Sequence, residues 1–60
     1  MENDPFARIE QLITEHKEDW EKAQGGNKAA GTRVRSAMQD IKNCAQDVRK
    51  AVLDMRSQDN

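Results

Sequence analysis

Tyrosine is absent from this chain, and phenylalanine, tryptophan, proline and cysteine occur once each. Each shortage removes a class of protein. Two aromatic residues among 60 are too few for a platform that stacks unpaired bases. A single cysteine, Cys44, cannot close an internal disulfide and fits a reducing compartment. A single histidine, His16, with no cysteine near it in sequence leaves a metal site nothing to build on, so neither metal nor cofactor is expected. No stretch approaches the roughly 18 apolar residues of a membrane span, and Met1-Glu2-Asn3-Asp4-Pro5 lacks the basic start and apolar run of a signal peptide. A soluble cytoplasmic protein with no membrane partner is the expectation. The chain is also too short to wall a substrate pocket around any Ser/His/Asp, Cys/His or paired-carboxylate arrangement, which argues against an enzyme and against a small-molecule substrate.

What is present is charge and helical period. Charged residues make up 35% and hydrophobic residues another 35%, the profile of exposed helices in thin bundles. Asp4 before Pro5 is a helix start, since the carboxylate can accept the free N–H groups of the first turn and proline has no N–H to lose there. Gly25-Gly26-Asn27 is a stop followed at once by a start: one glycine supplies the positive φ that ends a helix, and Asn27 caps the next. The chain therefore reads as a single helical-hairpin domain over residues 1–60, with one helix over about 5–24, a turn at 25–27 and a second helix over about 28–57.

Along helix one Phe6, Ile9, Ile13, His16, Trp20 and Ala23 recur at spacings of 3 and 4, with Leu12 widening the stripe. His16 falls inside it and reads as a packing residue. Along helix two Val34, Met38, Ile41, Ala45, Val48, Val52 and Met55 follow the same rhythm. Ala37, Cys44 and Ala51 then form a small-residue line on the outward face. These stripes predict an all-α antiparallel hairpin with coiled-coil-type packing. Laid back on itself, it pairs residues whose numbers sum to about 52, so that Trp20 meets Gly31 and Thr32, Ile13 meets Met38 and Phe6 meets Ala45, with Gly31 making room for the indole. Helix one is exhausted near Asp47. Val48, Val52, Leu53 and Met55 are left bare and are the expected oligomer interface, most simply two hairpins joined in a four-helix bundle.

The formal net charge of −1 hides an asymmetry: residues 1–24 hold seven acids and three bases, a balance of −4, and residues 27–60 hold seven bases and four acids, a balance of +3. Arg35, Lys42, Arg49 and Arg56 stand seven apart, as do Asp40, Asp47 and Asp54 on the other flank. The stripe of cations is open to two readings, partial neutralisation by the acids of helix one or attraction of a polyanion.

Gly26-Asn27-Lys28-Ala29-Ala30-Gly31-Thr32-Arg33-Val34-Arg35, then Ile41-Lys42 and Ala45-Gln46-Asp47-Val48-Arg49-Lys50, resembles the bacterial linker-histone-like family, the chlamydial histone-like proteins and their short relatives. The resemblance implies a nucleoid-associated protein that binds double-stranded DNA without sequence preference. Carried over by position, it implicates Asn27, Lys28, Arg33 and Arg35, and more loosely Lys42, Arg49 and Lys50. Long members of that family add a Lys/Arg/Ala-rich tail; in these residues the contact would rest on the start and stripe of helix two, where free N–H groups and cations suit a phosphate. The competing expectation is a non-catalytic coiled-coil oligomerisation or scaffold module that binds no DNA. Composition alone favours it.

Overall fold

The structure, a computed structural model, describes residues 4–59, with side chains described as far as Arg56. The two ends of the expected domain, at residues 1 and 60, lie outside them. All the regular structure described is helical: α1 over Pro5–Glu15, α2 over Lys17–Gln24 and α3 over Lys28–Asp59. The α1 start is as the sequence implies, with Asp4 Oδ1 accepting the N–H groups of Phe6 at 2.9 Å and Ala7 at 3.4 Å.

The expected helix over about 5–24 is divided at His16. Its φ of −114° leaves the helical basin, and its N–H reaches the Ile13 carbonyl at 3.2 Å in place of the Leu12 carbonyl four residues back. The Leu12 carbonyl is not orphaned, because the His16 ring takes it through Nδ1 at 2.7 Å. A carbonyl can only accept, so Nδ1 carries the proton in this contact. The side chain thus competes with its own backbone for one acceptor, and one turn tightens. The helix resumes when Trp20 N–H donates to the His16 carbonyl at 2.9 Å.

After Gln24 the chain closes a Schellman turn. Gly26 N–H donates to the Ala23 carbonyl at 3.0 Å and Asn27 N–H to the Lys22 carbonyl at 3.0 Å, with Gly26 at a φ of +101°. Asn27 then caps α3, its Oδ1 accepting the Ala30 N–H at 2.9 Å. One residue ends α2 and begins α3. The two nearby glycines have opposite expectations. Gly26→Ala should lower stability by roughly 1–2 kcal/mol, because an L residue resists that φ. Gly31→Ala should raise it by about 0.5–1 kcal/mol, because a Cβ there meets no atom within 4 Å. Urea unfolding followed by circular dichroism reads both. The open space also means that Gly31 is not needed to admit the Trp20 indole.

α1 and α2 both pack along α3. The molecule measures 51 × 17 × 13 Å, a cross-section that accommodates two helices side by side and no more. The side chains that close the seam are Leu12 at 3% exposure, Ala30 at 0% and Ala37 at 2%. Around them Pro5, Ile9, His16, Asp19 and Ala23 on one side, and Val34, Ile41, Cys44, Ala45, Val48 and Ala51 on the other, are half-buried.

This seam differs in phase from the expected one. Ala37, Cys44 and Ala51 do not face outward; with Ala30 they run down the contact itself. Met38, Val52 and Met55 are exposed, and so are Phe6, Ile13 and Trp20, which the stripe on helix one assigns to the core. The physical reason is distance. Two helix axes approach most closely where the side chains between them are smallest, so the column of alanines sets the contact line and the larger residues are displaced to its shoulder.

Candidate nucleic-acid interface

Each residue advances an α-helix by 100°, so residues seven apart stack in near-vertical columns. Taking the Ala30, Ala37, Cys44 and Ala51 column as the zero of α3, Val34, Ile41, Val48 and Met55 stand about 40° round, and Met38, Ala45 and Val52 about 100°. Lys28, Arg35, Lys42, Arg49 and Arg56 follow at about 140°. Asp40, Asp47 and Asp54 lie on the opposite flank of the seam, in one column with Arg33. Five cations therefore border the apolar shoulder over the length of α3, and all five are exposed.

Their surroundings separate the candidates. Arg33 is occupied: its Nε and Nη2 donate to Asp19 Oδ1 at 3.0 and 2.9 Å, across from α3 to α2. The Asp19 side chain is 17% exposed and that of Arg33 50%. The hydrogen bond from Arg33 holds the Asp19 carboxyl below its ordinary value, with the charges of Arg33, His16 and Lys22 adding to it against partial burial. The Arg33 guanidinium is raised by the same hydrogen bond. Residues 19 and 33 sum to 52, the expected register. Ile13 and Met38, whose numbers sum to 51, also share a groove.

Among the described residues this is the one ion pair, so Lys28, Arg35, Lys42 and Arg49 carry no carboxylate partner there. Arg49 Nη1 reaches Gln46 Oε1 at 3.4 Å, a neutral acceptor that leaves its charge available. Asn27 is spent as a cap. Lys50 is exposed but stands 100° on from Arg49, away from the column. Arg56 belongs to the column although the motif does not include it; its spacing of seven from Arg49 is the signal that finds it. Of the expected oligomer residues, Val48 is half-buried and Val52, Leu53 and Met55 are exposed. No group of histidine, cysteine and acidic side chains suited to a metal occurs among the described residues. No helix among them is long and apolar enough to cross a membrane.

The Asp19 pairing has a pH signature. A carboxyl depressed on folding stabilises the fold above its unfolded value, near 3.8, and that contribution is lost as pH falls through the folded value. Asp19→Asn should flatten the loss of stability below about pH 4. Thermal midpoints of both chains across acid pH test it; parallel curves would remove the ion pair from the account.

A thin helical layer whose longest helix carries a cationic column with no carboxylate partner among the described residues has the form of an architectural protein. Residues 3–58 match the family described as Histone H1-like protein Hc1, and the chain belongs to that family. Its members are DNA-binding architectural proteins of the nucleoid, not typically enzymes. Comparison with curated proteins and with solved structures found no match.

Proposed function

We propose that this chain is a DNA-binding protein of the bacterial nucleoid, working in the cytoplasm, that grips the phosphate backbone without reading bases. The contacts are Lys28, Arg35, Lys42 and Arg49, extended by Arg56, with Lys50 turned away from their column as a looser contact. The N–H groups opening α3 add partial positive charge at the Lys28 end. Arg33 serves the fold through Asp19, and Asn27 serves it as a cap. The active form is a homodimer of antiparallel helical hairpins packed as a four-helix bundle. What carries the reading is the exposed, unneutralised cationic column in a chain of the histone H1-like family.

Two observations favour a second reading, a scaffold that binds no DNA. The exposed apolar shoulder is extensive and the formal net charge is −1. Polarisation titrations of random-sequence duplex against salt separate the two. On the DNA reading, log K falls linearly with log salt at a slope of about −0.9 per phosphate engaged. Combined Arg35→Ala, Lys42→Ala and Arg49→Ala should shrink that slope by about 0.9 for each phosphate the variant no longer neutralises, with helicity unchanged by circular dichroism. Absence of binding at low salt would leave the scaffold.

A further inference from the structure

One side of the molecule is apolar and covered by nothing in the single chain. A groove of about 350 Å³ runs along it, lined by Ile13, His16, Lys17, Trp20, Val34 and Met38. Trp20 is 55% exposed and Met38 48%, with Phe6, Val52 and Met55 also open to water. A domain one layer thick has only its seam for a core until a second layer closes it. The outline of the side measures 51 × 17 Å, roughly 870 Å². A standard stable interface needs about 800 Å² from each partner.

Resting on the DNA reading above, we infer that a second copy of this chain covers this side with its α3 antiparallel to the first, the two-fold axis passing at Ala45. The two cationic columns then merge into one basic edge that neither copy has alone. The occupant follows from self-complementarity, which a two-fold interface demands: residue i meets j and j meets i. On α3 the outer apolar column pairs at a sum of 90, Met38 with Val52 of the second copy and Ala45 with itself. The inner column pairs at 89, Val34 with Met55 and Ile41 with Val48. Both columns choose the same axis within half a residue. The residue at the axis is an alanine, which lets the helices approach. The same register carries the far end of each α3, beyond the reach of α1, onto the segment of the other copy that holds Trp20. Leu53 stands about 200° from the alanine column and takes no part.

The charge consequence is fixed by the register. Arg35 comes beside Arg56 of the second copy, and Lys42 beside Arg49, sums of 91 in both cases. Like charges in rows repel, so the bare dimer is weakened by its own edge and is relieved by salt or by a polyanion laid along it. A duplex backbone is such a polyanion, so DNA binding and dimerisation must favour one another by the same factor. A parallel arrangement would instead put the two columns on opposite sides of the bundle.

Single-cysteine chains in a Cys44→Ala background test the geometry. Ala45→Cys should oxidise readily to a covalent dimer, since a disulfide needs Cα atoms within about 7 Å, while Gln39→Cys on the far side should not. A spin label at Ala29→Cys should report a separation of roughly 50 Å, from 16 residues of rise on each side of the axis. Two labels less than about 25 Å apart would indicate parallel packing and overturn the inference whether or not Ala45 cross-links, while leaving the DNA reading standing. Sedimentation showing only monomer at tens of micromolar, with or without duplex, overturns it as well. For the merged edge, the Ala45-linked dimer should show about twice the salt slope of a Met38→Asp, Val52→Asp monomer. Equal slopes would sink the merged edge. No duplex binding by any chain would sink the DNA reading, and the cross-link and the spin label would still judge the register.

Discussion

Leu12→Ala is expected to remove most of the stability of this protein, while Leu53→Ala should change it by no more than about 0.5 kcal/mol. The chain has two leucines, and the fold uses them oppositely: Leu12 is 3% exposed in the seam, and Leu53 is open to water on the far side of α3. Truncating a buried leucine costs about 2–5 kcal/mol through reduced burial and the cavity left behind. A domain of this size rarely holds more than about 3–5 kcal/mol in all. Thermal unfolding followed by circular dichroism at fixed protein concentration measures both variants. Equal midpoints would mean that the seam is not where the stability lies.

How far the sequence can be read depends on which force wrote each feature. The caps are local chemistry, so Asp4 and Asn27 and the stop at Gly25-Gly26 are legible without any knowledge of packing. The register is legible too. A three-residue turn leaves little freedom, and the Asp19 to Arg33 pair falls at the sum that the turn imposes. The phase of the seam is not legible by hydrophobicity, because two adjacent columns on α3 both look like cores. One holds Ala30, Ala37, Cys44 and Ala51; the other is richer in Met38, Val52 and similar large side chains. A transfer scale favours the larger residues, whereas the approach of two helices is set by how closely their backbones can come. The larger residues are then available for a second interface, which a single chain cannot display. The break at His16 depends on one ring taking the Leu12 carbonyl four residues back, and no spacing rule announces that. Within the candidate DNA interface, the cationic column is legible as a heptad. What separates Arg33 from it is the carboxylate across the turn.

The sharpest test of that phase is Ala37→Leu beside Met38→Leu. Were Met38 the seam residue and Ala37 outward, leucine at 37 would sit in solvent on a helix and change almost nothing, since alanine and leucine are both strong helix formers. In the structure Ala37 is 2% exposed and Met38 48%. Three added carbons at 37 have no space between α1 and α3, and overpacking of this kind costs about 1–3 kcal/mol. With a midpoint shift of roughly 4–8 °C per kcal/mol in a domain this small, the effect is large and easily measured. Met38→Leu, conserving volume on an exposed shoulder, should cost far less. The damage from leucine at 37 should also spread along the seam. Forcing α3 away from α1 and α2 lengthens the reach from Arg33 to Asp19, so the Ala37→Leu chain should lose part of the Asp19-dependent fall in stability below about pH 4. A stable Ala37→Leu protein with its acid sensitivity intact would restore the seam to the methionine and valine column, and the exposed apolar side from which a second copy is inferred would disappear with it.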